Sequence, residues 1–245
     1  MRAASPTLLI DINQLNDLSG ISLTPLALRI GALTRFRSIA SDPLIAQYAP
    51  ILTNAVQHIA NPSVRHRGTV GGSVALAEPS AELPACLCAL EAMVELSSVE
   101  QVRKVAATDF FTGRNQTRLT DHEILTAIEI PHLGNTQRWA FEELSRRRGS
   151  YALCGLAAQA NMADRRVEQP RLVFFAVGDR PVLATQAMRV LHGRMIDDAT
   201  IAEVQNALIE DLTPQSDVQA SAQLRLHYAK TLVDKVLRRL NVPED

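Results

Sequence analysis

The chain has 245 residues, a hydrophobic content of 47% and a formal net charge of −1 at pH 7. This composition is typical of a folded protein with a substantial core, and the balanced charge argues against binding to nucleic acid or to an anionic membrane surface. Cys86, Cys88 and Cys154 are too few and too widely spaced for a disulfide framework, and no Cys-x-x-Cys pair offers a metal site. No apolar run has the length of a signal-peptide core or a membrane span, so we expect a cytoplasmic protein without membrane insertion.

The first predicted elements are two strands followed by helices. Residues 8–12 are almost entirely apolar and predict a buried strand, and residues 26–30 predict a second strand. Thr34 is a plausible N-cap of the helix that follows. Within residues 43–59 the apolar side chains recur at three-and-four spacing, which predicts one or two amphipathic helices interrupted near Pro50.

The periodicity stops in residues 61–84, which predict a long loop, and a short helix is expected over residues 84–90. Alternating apolar residues then predict strands over residues 93–97, 101–105 and 124–130. Long ordered loops often carry function. The loop is therefore the first place to look for a site, and the first domain is expected to end just after the last of these strands.

The second half of the chain predicts a small antiparallel sheet backed by helices. The predicted strands cover residues 139–144, 151–162 and 171–177, and the predicted helices cover residues 182–191, residues 198–212 and a C-terminal segment with an apolar stripe. Together the two halves predict an α+β protein.

Residues 68–73 read Gly-Thr-Val-Gly-Gly-Ser and carry the clearest chemical signal. Glycines around a threonine let backbone N–H groups converge on an anion, because glycine reaches positive φ and allows a close approach, so this segment is a candidate phosphate cradle. An isolated Gly-Gly pair is more often a simple tight turn. The spacing matches neither a Walker A loop nor the Rossmann fingerprint, so the segment alone does not identify a nucleotide.

In its wider context this segment resembles the FAD-binding (medium) subunits of the molybdenum hydroxylases, of the carbon monoxide dehydrogenase and xanthine dehydrogenase type. The hallmark of that family is an arginine followed by a Gly-Thr-hydrophobic-Gly-Gly-Ser/Asn loop, which Arg65 and residues 68–73 match in order and spacing. The resemblance continues through residues 82–84, 109–113, 123–131, 141–147 and 151–152. It therefore spans nearly the whole chain.

This resemblance implies an FAD-binding domain of the PCMH type over residues 1–132 and a flavoprotein C-terminal domain over residues 137–243, with a small antiparallel sheet and a C-terminal helical bundle. The FAD-binding residues that it implies are Thr69, Val70, Gly71, Gly72, Ser73, Glu82, Ile124 and Leu125. The segment 69–73 would hold the pyrophosphate, and Glu82 would accept hydrogen bonds from the ribityl chain or the flavin. A carboxylate at a helix N-terminus and a buried strand pair would explain Glu82 and residues 124–125 as well.

One element of the family pattern has no counterpart in the sequence. Relatives carry an earlier Gly-Gly loop that supplies the other half of the pyrophosphate site, and nothing before Leu8 matches it. We therefore expect an N-terminally truncated domain whose first lobe is largely missing. Its affinity for FAD would be lower, because each charge-assisted hydrogen bond that is lost contributes about 1.5–3 kcal/mol.

The function that the resemblance implies is electron transfer through FAD. A large molybdopterin subunit would oxidise the substrate, the [2Fe-2S] clusters of a small subunit would pass the electrons on, and the flavin would deliver them to an external acceptor, in a dimer of heterotrimers. No residue of this chain is expected to be catalytic or to bind a metal. The alternatives are an FAD-free scaffold or inactive remnant that only docks these partners, and an FAD-linked oxidase that acts alone. The arginine run 146–148 predicts a solvated or subunit-facing surface rather than a nucleic-acid site.

Overall fold

The computed structural model describes residues 7–132 and 137–241. The helices are α1 (Phe36–Ser41), α2 (Pro43–Tyr48), α3 (Pro50–Ala55), α4 (Pro62–Arg67), α5 (Val70–Leu76), α6 (Glu82–Ala89), α7 (Ala107–Phe110), α8 (Thr185–Leu191), α9 (Asp198–Asp211) and α10 (Ala222–Leu240). The strands are β1 (Ile21–Leu23), β2 (Ala27–Gly31), β3 (Met93–Ser97), β4 (Val102–Ala106), β5 (Phe111–Gly113), β6 (Gln116–Thr117), β7 (Ile124–Pro131), β8 (Gln137–Ser145), β9 (Ala152–Ala163), β10 (Arg166–Phe175) and β11 (Val182–Leu183). Among the helices of these described ranges, none is long and apolar enough to cross a membrane.

The first half of the chain is organised around a five-stranded antiparallel sheet in the order β1-β2-β7-β3-β4. β7 lies in the middle, and its first residues pair with the end of β3 so that Leu125 faces Leu96. Helices cover the face that carries Ile30, Val94 and Ile128, all of which are fully buried. This arrangement brings the start of β7 to the same edge of the sheet as the segment that precedes α5.

The second half is organised around a four-stranded antiparallel sheet in the order β11-β10-β9-β8. One face packs against α8, α9 and α10, whose apolar side chains form a separate core cluster. The other face packs against α6, so β9 is buried on both faces over most of its length. Gly155 permits this packing, because a Cβ atom there would lie 2.0 Å from Cζ of Phe175.

The two halves share one hydrophobic core on either side of α6. Phe110 and Leu87 from the first half belong to the same buried cluster as Phe141 and Phe175 from the second. The last two rings stack with their centroids 5.7 Å apart. Every residue of α6 is buried, because the helix is enclosed between the second sheet and the helices α3, α5 and α7.

Most elements predicted from periodicity are confirmed, and both halves have the predicted α+β character with antiparallel sheets and C-terminal helices. The confirmed strands are those predicted over residues 93–97, 124–130, 139–144 and 151–162, and the confirmed helices are those over residues 198–212 and at the C-terminus. The interruption at Pro50 is also confirmed, because Pro50 begins α3.

The strand predicted over residues 8–12 is wrong. Leu8 and Ile10 are 73% and 77% exposed, and no strand of the described residues lies beside this segment. Thr34 is not a helix N-cap either, because its hydroxyl accepts from the N–H of Gly20 and donates to the carbonyl of the same residue, and α1 begins only at Phe36. Apolar composition alone does not form a strand when no neighbour supplies the hydrogen bonds.

The long loop predicted over residues 61–84 is wrong as well, because it contains α4, α5 and the start of α6. Asn61 caps α4 and Thr69 caps α5, each through a side-chain oxygen that accepts a backbone N–H. Glycines and prolines conceal helices this short from a periodicity argument. The helix predicted from residue 182 begins at Thr185 instead, after the short strand β11.

Candidate functional site

A deep cleft of about 2590 Å³ opens between the two halves of the protein. Its walls come from residues 66–82, the start of β7, and residues 146–152, 176–183 and 211–219. Small-molecule sites in proteins usually have about 300–1,000 Å³, so this cleft has space for an elongated ligand. It lies where segments distant in sequence meet, as ligand sites often do.

The glycine segment forms one wall of the cleft. The hydroxyl oxygen of Thr69 accepts the N–H of Gly72 at 3.1 Å and so caps α5. The N–H of Val70 donates to the carbonyl of Thr34 at 3.0 Å, and that of Gly71 donates to the carbonyl of Ala32 at 2.7 Å. Two N–H groups of the candidate phosphate cradle therefore bind the connection between β2 and α1 and are not available to an anion.

Gly68 and Gly71 of this segment are required by close packing and not by positive φ. A Cβ atom on Gly68 would lie 2.5 Å from Cε2 of Phe36, and one on Gly71 would lie 2.6 Å from Cβ of Ala32. None of the three glycines of the segment adopts positive φ. Gly72 is different, because it is exposed on the cleft wall and its nearest neighbour within 4 Å is the hydroxyl oxygen of Thr69.

Three arginines give this wall a positive character. Arg35, Arg37 and Arg67 all line the cleft next to the glycine segment. The guanidinium of Arg35 donates to the backbone carbonyl of Arg67 and to Oδ1 of Asn13, the latter at 2.6 Å. Guanidinium groups around a glycine-containing wall, with that of Arg35 held by two hydrogen bonds, suit an anionic ligand such as a pyrophosphate.

Arg65, the arginine of the family hallmark, holds the edge of the cleft together. Its guanidinium donates to the carbonyls of Ile59 and Ala60 at 2.8 and 2.9 Å. Gly149, at φ +77°, packs against the same turn, where a Cβ atom would lie 2.4 Å from the carbonyl oxygen of Ala60. Arg65 thus has a structural role that its motif alone did not reveal.

Glu82 is the first residue of α6 and lines the cleft although only 7% of it is exposed. Its carboxyl group has no hydrogen-bond partner from another described residue. The pKa of Glu82 is raised to about 7, chiefly by burial; the hydrogen bond from its own backbone N–H lowers the pKa, the negative charge of Glu143 raises it, and His58 lowers it. An unpartnered carboxyl group at a cleft wall can accept hydrogen bonds from ligand hydroxyl groups.

The remaining predicted residues lie at the start of β7. Ile124 is 44% exposed and Leu125 only 8%, and both line the cleft. The structure thus brings together seven of the eight predicted residues: Thr69, Gly71, Gly72, Ser73, Glu82, Ile124 and Leu125. Val70 is the exception, because its side chain is 3% exposed and packs in the core while its backbone forms part of the segment.

The sequence did not indicate the contribution of α10 to the cleft. Arg225 is 6% exposed, and its guanidinium donates to the carbonyls of Leu153 and Ala176 and, at 2.7 Å, to Oδ2 of Asp217. The N–H of Ala176 in turn donates to the carbonyl of Pro79 at 2.9 Å. A buried arginine in a helix can be suspected from a charge within an apolar stripe, but its carbonyl partners cannot be identified from the sequence.

Comparisons with known proteins agree over the whole chain. Residues 1–133 match the family described as FAD binding domain in molybdopterin dehydrogenase, and residues 139–240 match the CO dehydrogenase flavoprotein C-terminal domain. The chain belongs to the FAD-binding subunits of the molybdenum hydroxylases. It is an oxidoreductase subunit, and FAD is the cofactor of its family.

Individual relatives of this flavoprotein subunit have different substrates in their names. The glyceraldehyde dehydrogenase medium chain of Sulfolobus acidocaldarius is 30% identical over 98% of this chain and 85% of the relative. Quinoline 2-oxidoreductase from Pseudomonas putida 86 has a TM-score of 0.93 and 36% identity, covering 98% of this chain and 84% of that one. Carbon monoxide dehydrogenase from Hydrogenophaga pseudoflava has a TM-score of 0.94 and 30% identity, and the match covers 98% of this chain and 83% of that one.

The cleft of this flavoprotein subunit fits the family cofactor. Gly72 leaves the wall open where a bulkier residue would protrude, and three arginines lie beside it. Glu82 offers a free acceptor on the adjoining wall. When bound, FAD supplies the redox chemistry, and the protein supplies position and charge.

Proposed function

We propose that this subunit binds FAD in the cleft and relays electrons from the iron–sulfur clusters of a small partner subunit to an external acceptor. A large partner subunit would hold the molybdopterin and oxidise the substrate, in a cytoplasmic dimer of heterotrimers. Relatives with similar folds carry names of enzymes for aldehydes, carbon monoxide and N-heterocycles, so the substrate depends on the partner. The observation that carries the proposal is the convergence of seven motif residues on one cleft.

In this proposal the residues of the chain have binding and positioning roles. Gly72 and Ser73, with the arginines beside them, would hold the pyrophosphate. Glu82 would accept hydrogen bonds from the ribityl hydroxyl groups or the flavin, and Ile124 and Leu125 would pack against the ring. None of these residues acts as the catalytic group of the substrate reaction, because that reaction takes place on the partner.

Titration of FAD into the purified chain tests the binding site. Ser73 is half-buried on the cleft wall, so Ser73→Glu places a negative charge where the pyrophosphate is proposed to lie. We expect the Kd for FAD, measured by quenching of flavin fluorescence, to rise at least about tenfold. The reason is that like charges a few ångströms apart repel by several kcal/mol at an effective dielectric constant of about 20.

Ser63→Glu is the matched control, because Ser63 is an exposed serine on α4 outside the cleft wall. We expect the control to bind FAD as the native chain does. Equal affinity of the native chain and Ser73→Glu would contradict the proposed site. A complex that purifies with both partners but retains no flavin would favour the scaffold instead.

A further inference from the structure

The side chains of His58 and Glu143 form a pair behind the cleft wall, and Glu82 at the start of α6 lies within the electrostatic influence of both. Nδ1 of His58 is 3.3 Å from Oε1 of Glu143, and the second oxygen of that carboxylate is buried and has no hydrogen-bond partner among the residues that the structure describes. Glu82 is their electrostatic neighbour, because the charges of both side chains shift its pKa. A buried carboxylate oxygen without a partner is unusual and calls for an explanation.

Of the three side chains, that of His58 is reached by solvent, that of Glu143 is buried, and that of Glu82 faces the cleft. The side chain of His58 is 36% exposed, that of Glu143 only 2%, and Glu82 faces the cleft. We propose that His58 and Glu143 form a proton path that supplies Glu82, which in turn delivers a proton to the flavin when it is reduced. This inference rests on the proposed function, because it needs a flavin in the cleft.

The charges of the cluster suit proton exchange near neutral pH. The hydrogen bond with Glu143 raises the pKa of His58, although burial partly opposes it. Burial raises the pKa of Glu82 to about 7. At neutral pH, therefore, Glu82 is poised to give up and regain a proton, and His58 can carry one.

Two other titratable groups face the cluster without joining the path. The carboxylate of Glu142 raises the pKa of His58, but it is already paired with Arg239 at 2.5 Å. The thiol of Cys86, one turn after Glu82 in α6, is fully buried, and burial raises its pKa well above the usual value. It stays neutral and exchanges no proton near pH 7.

Electrons that arrive from iron–sulfur clusters carry no protons, so two-electron reduction of a flavin must take its protons from elsewhere. In the proposed step Glu82 breaks its carboxyl O–H bond and gives the proton to a ring nitrogen, which forms an N–H bond. The Glu82 carboxylate then regains a proton that leaves His58 and passes by way of Glu143. His58 is protonated again by solvent, so the cluster ends unchanged and one solvent proton has been consumed.

The first test needs no flavin and measures the coupling within the cluster. The carboxyl stretching band of Glu82, assigned with Glu82→Gln, is titrated by infrared spectroscopy in the native chain and its variants. We expect His58→Gln to raise the midpoint by about one pH unit, because it removes a positive charge, and Glu143→Gln to lower it comparably, because it removes a negative one.

His192→Gln is the matched control, because His192 and Glu168 form a pair with the same 3.3 Å separation, but both are exposed. It should leave the midpoint of Glu82 unchanged. Opposite shifts in His58→Gln and Glu143→Gln test the electrostatic coupling that the path requires, and the second test separates a path from a purely structural cluster. If the titration midpoint of Glu82 is the same in the native chain and in all variants, the proposed path is overturned.

The second test follows proton uptake in the FAD-loaded protein with a pH-indicator dye during rapid chemical reduction. We expect His58→Ala to slow uptake at least about tenfold without changing the Kd for FAD, as is usual when a positioned proton donor is lost. Because His58 is reached by solvent, added imidazole should restore the rate, with an optimum near the pKa of the buffer. A structural role would not be rescued in this way.

The outcomes separate the two proposals. Flavin that is retained and takes up protons at the native rate in His58→Ala and Glu143→Gln would overturn the proton path and leave the proposed function intact. Failure of every variant and of the native chain to retain flavin, also with both partner subunits present, would overturn both. Should His58→Ala unfold, His58→Gln and Glu143→Gln decide the question by the same measurements.

Discussion

The two glycines in the first turn of α5 have distinct roles that their shared residue type conceals. Gly71 lies against the backbone and side chain of Ala32, whereas Gly72 is exposed to the cleft. Only Gly72 is in a position to matter directly for a ligand. The two positions therefore separate the packing role of the segment from its binding role.

Gly71→Ala is expected to destabilise the protein by about 1–3 kcal/mol, because its Cβ would lie 2.8 Å from the Ala32 carbonyl oxygen and the backbone has to shift. The free energy of unfolding of Gly72→Ala should stay within about 1 kcal/mol of the native value. Alanine has a higher helix propensity than glycine, and this gain offsets the weakening of the helix cap that Thr69 provides. Chemical denaturation followed by circular dichroism measures both. Equal destabilisation by the two variants would contradict the distinction.

Glu82 should make the flavin-free protein less stable as the pH rises. The unfolded chain releases this proton near pH 4.5 and the folded chain only near pH 7, because burial disfavours the charged form. Since the folded state binds more protons in this window, the free energy of unfolding falls through it, by at most about 3 kcal/mol. Denaturation at several pH values should show this fall in the native chain and its loss in Glu82→Gln.

Glu123→Gln provides a control in a different pH window. The hydrogen bond from Arg103 lowers the pKa of Glu123 to about 2, so this carboxylate stabilises the folded state above its unfolded pKa, and the contribution is lost as the pH falls toward 2. Glu123→Gln should therefore change the pH dependence below about pH 4.5 and leave the window of Glu82 unaffected. A change in both windows would mean that the two carboxyl groups are coupled.

Much of the candidate site could be predicted from the sequence because its residues lie in local motifs. Residues 69–73 and Glu82 are separated by fewer than a dozen residues, and the order of residue types carries the signal. The hydrogen-bond partners of Arg65 and the charged neighbours of Glu82 could not be predicted. The neighbours of Glu82 are His58 and Glu143, which adjoin it only because α6 packs against the second sheet.

At the level of elements, short capped helices were harder to predict than strands. α4 and α5 have six and seven residues, and their starts depend on one side-chain hydrogen bond each. The strands of the two sheets repeat their apolar residues and can be recognised without tertiary contacts. The exception, residues 8–12, shows that such a run becomes a strand only beside a partner.

The first turn of α10 anchors the loops around the cleft through Arg225. Arg225→Met leaves the buried carbonyls of Leu153 and Ala176 unpaired, so we expect a loss of about 2–4 kcal/mol in the free energy of unfolding. FAD binding should also weaken, because Ala176 holds Pro79 on the cleft wall. Denaturation and fluorescence titration measure these two effects.

Arg238→Met on the same helix is the matched control for Arg225. Its guanidinium pairs with Asp198 and Asp234 at the surface, where ion pairs contribute little. We expect the denaturation midpoint and the Kd for FAD of this variant to remain close to the native values. Comparable losses in both variants would show that charge removal, not the carbonyl contacts, is responsible.

At the level of the whole molecule, the shared core makes the two halves one folding unit. Phe110 in the first half and Phe175 in the second belong to the same buried cluster, and α6 packs against the second sheet as well as against helices of the first half. The sequence and the family resemblance predicted two domains, over residues 1–132 and 137–243. The sequence could not indicate the packing between them, which depends on Gly155 and on the stacked rings of β8 and β10.

We therefore expect thermal unfolding to be a single transition in which damage to either half destabilises both. Trp139, the one tryptophan of the chain, lies on β8 and reports on the second half. Phe110→Ala in the first half and Leu208→Ala in the separate cluster under α9 should each lower the midpoint of Trp139 fluorescence and of circular dichroism together. Each deletion of a buried side chain costs about 2–5 kcal/mol, which lowers the midpoint by several degrees for a chain of this size.

Val99→Ala is the control, because it removes a fully exposed apolar side chain and should leave both midpoints unchanged. A Trp139 transition that does not respond to Phe110→Ala would show that the halves unfold independently.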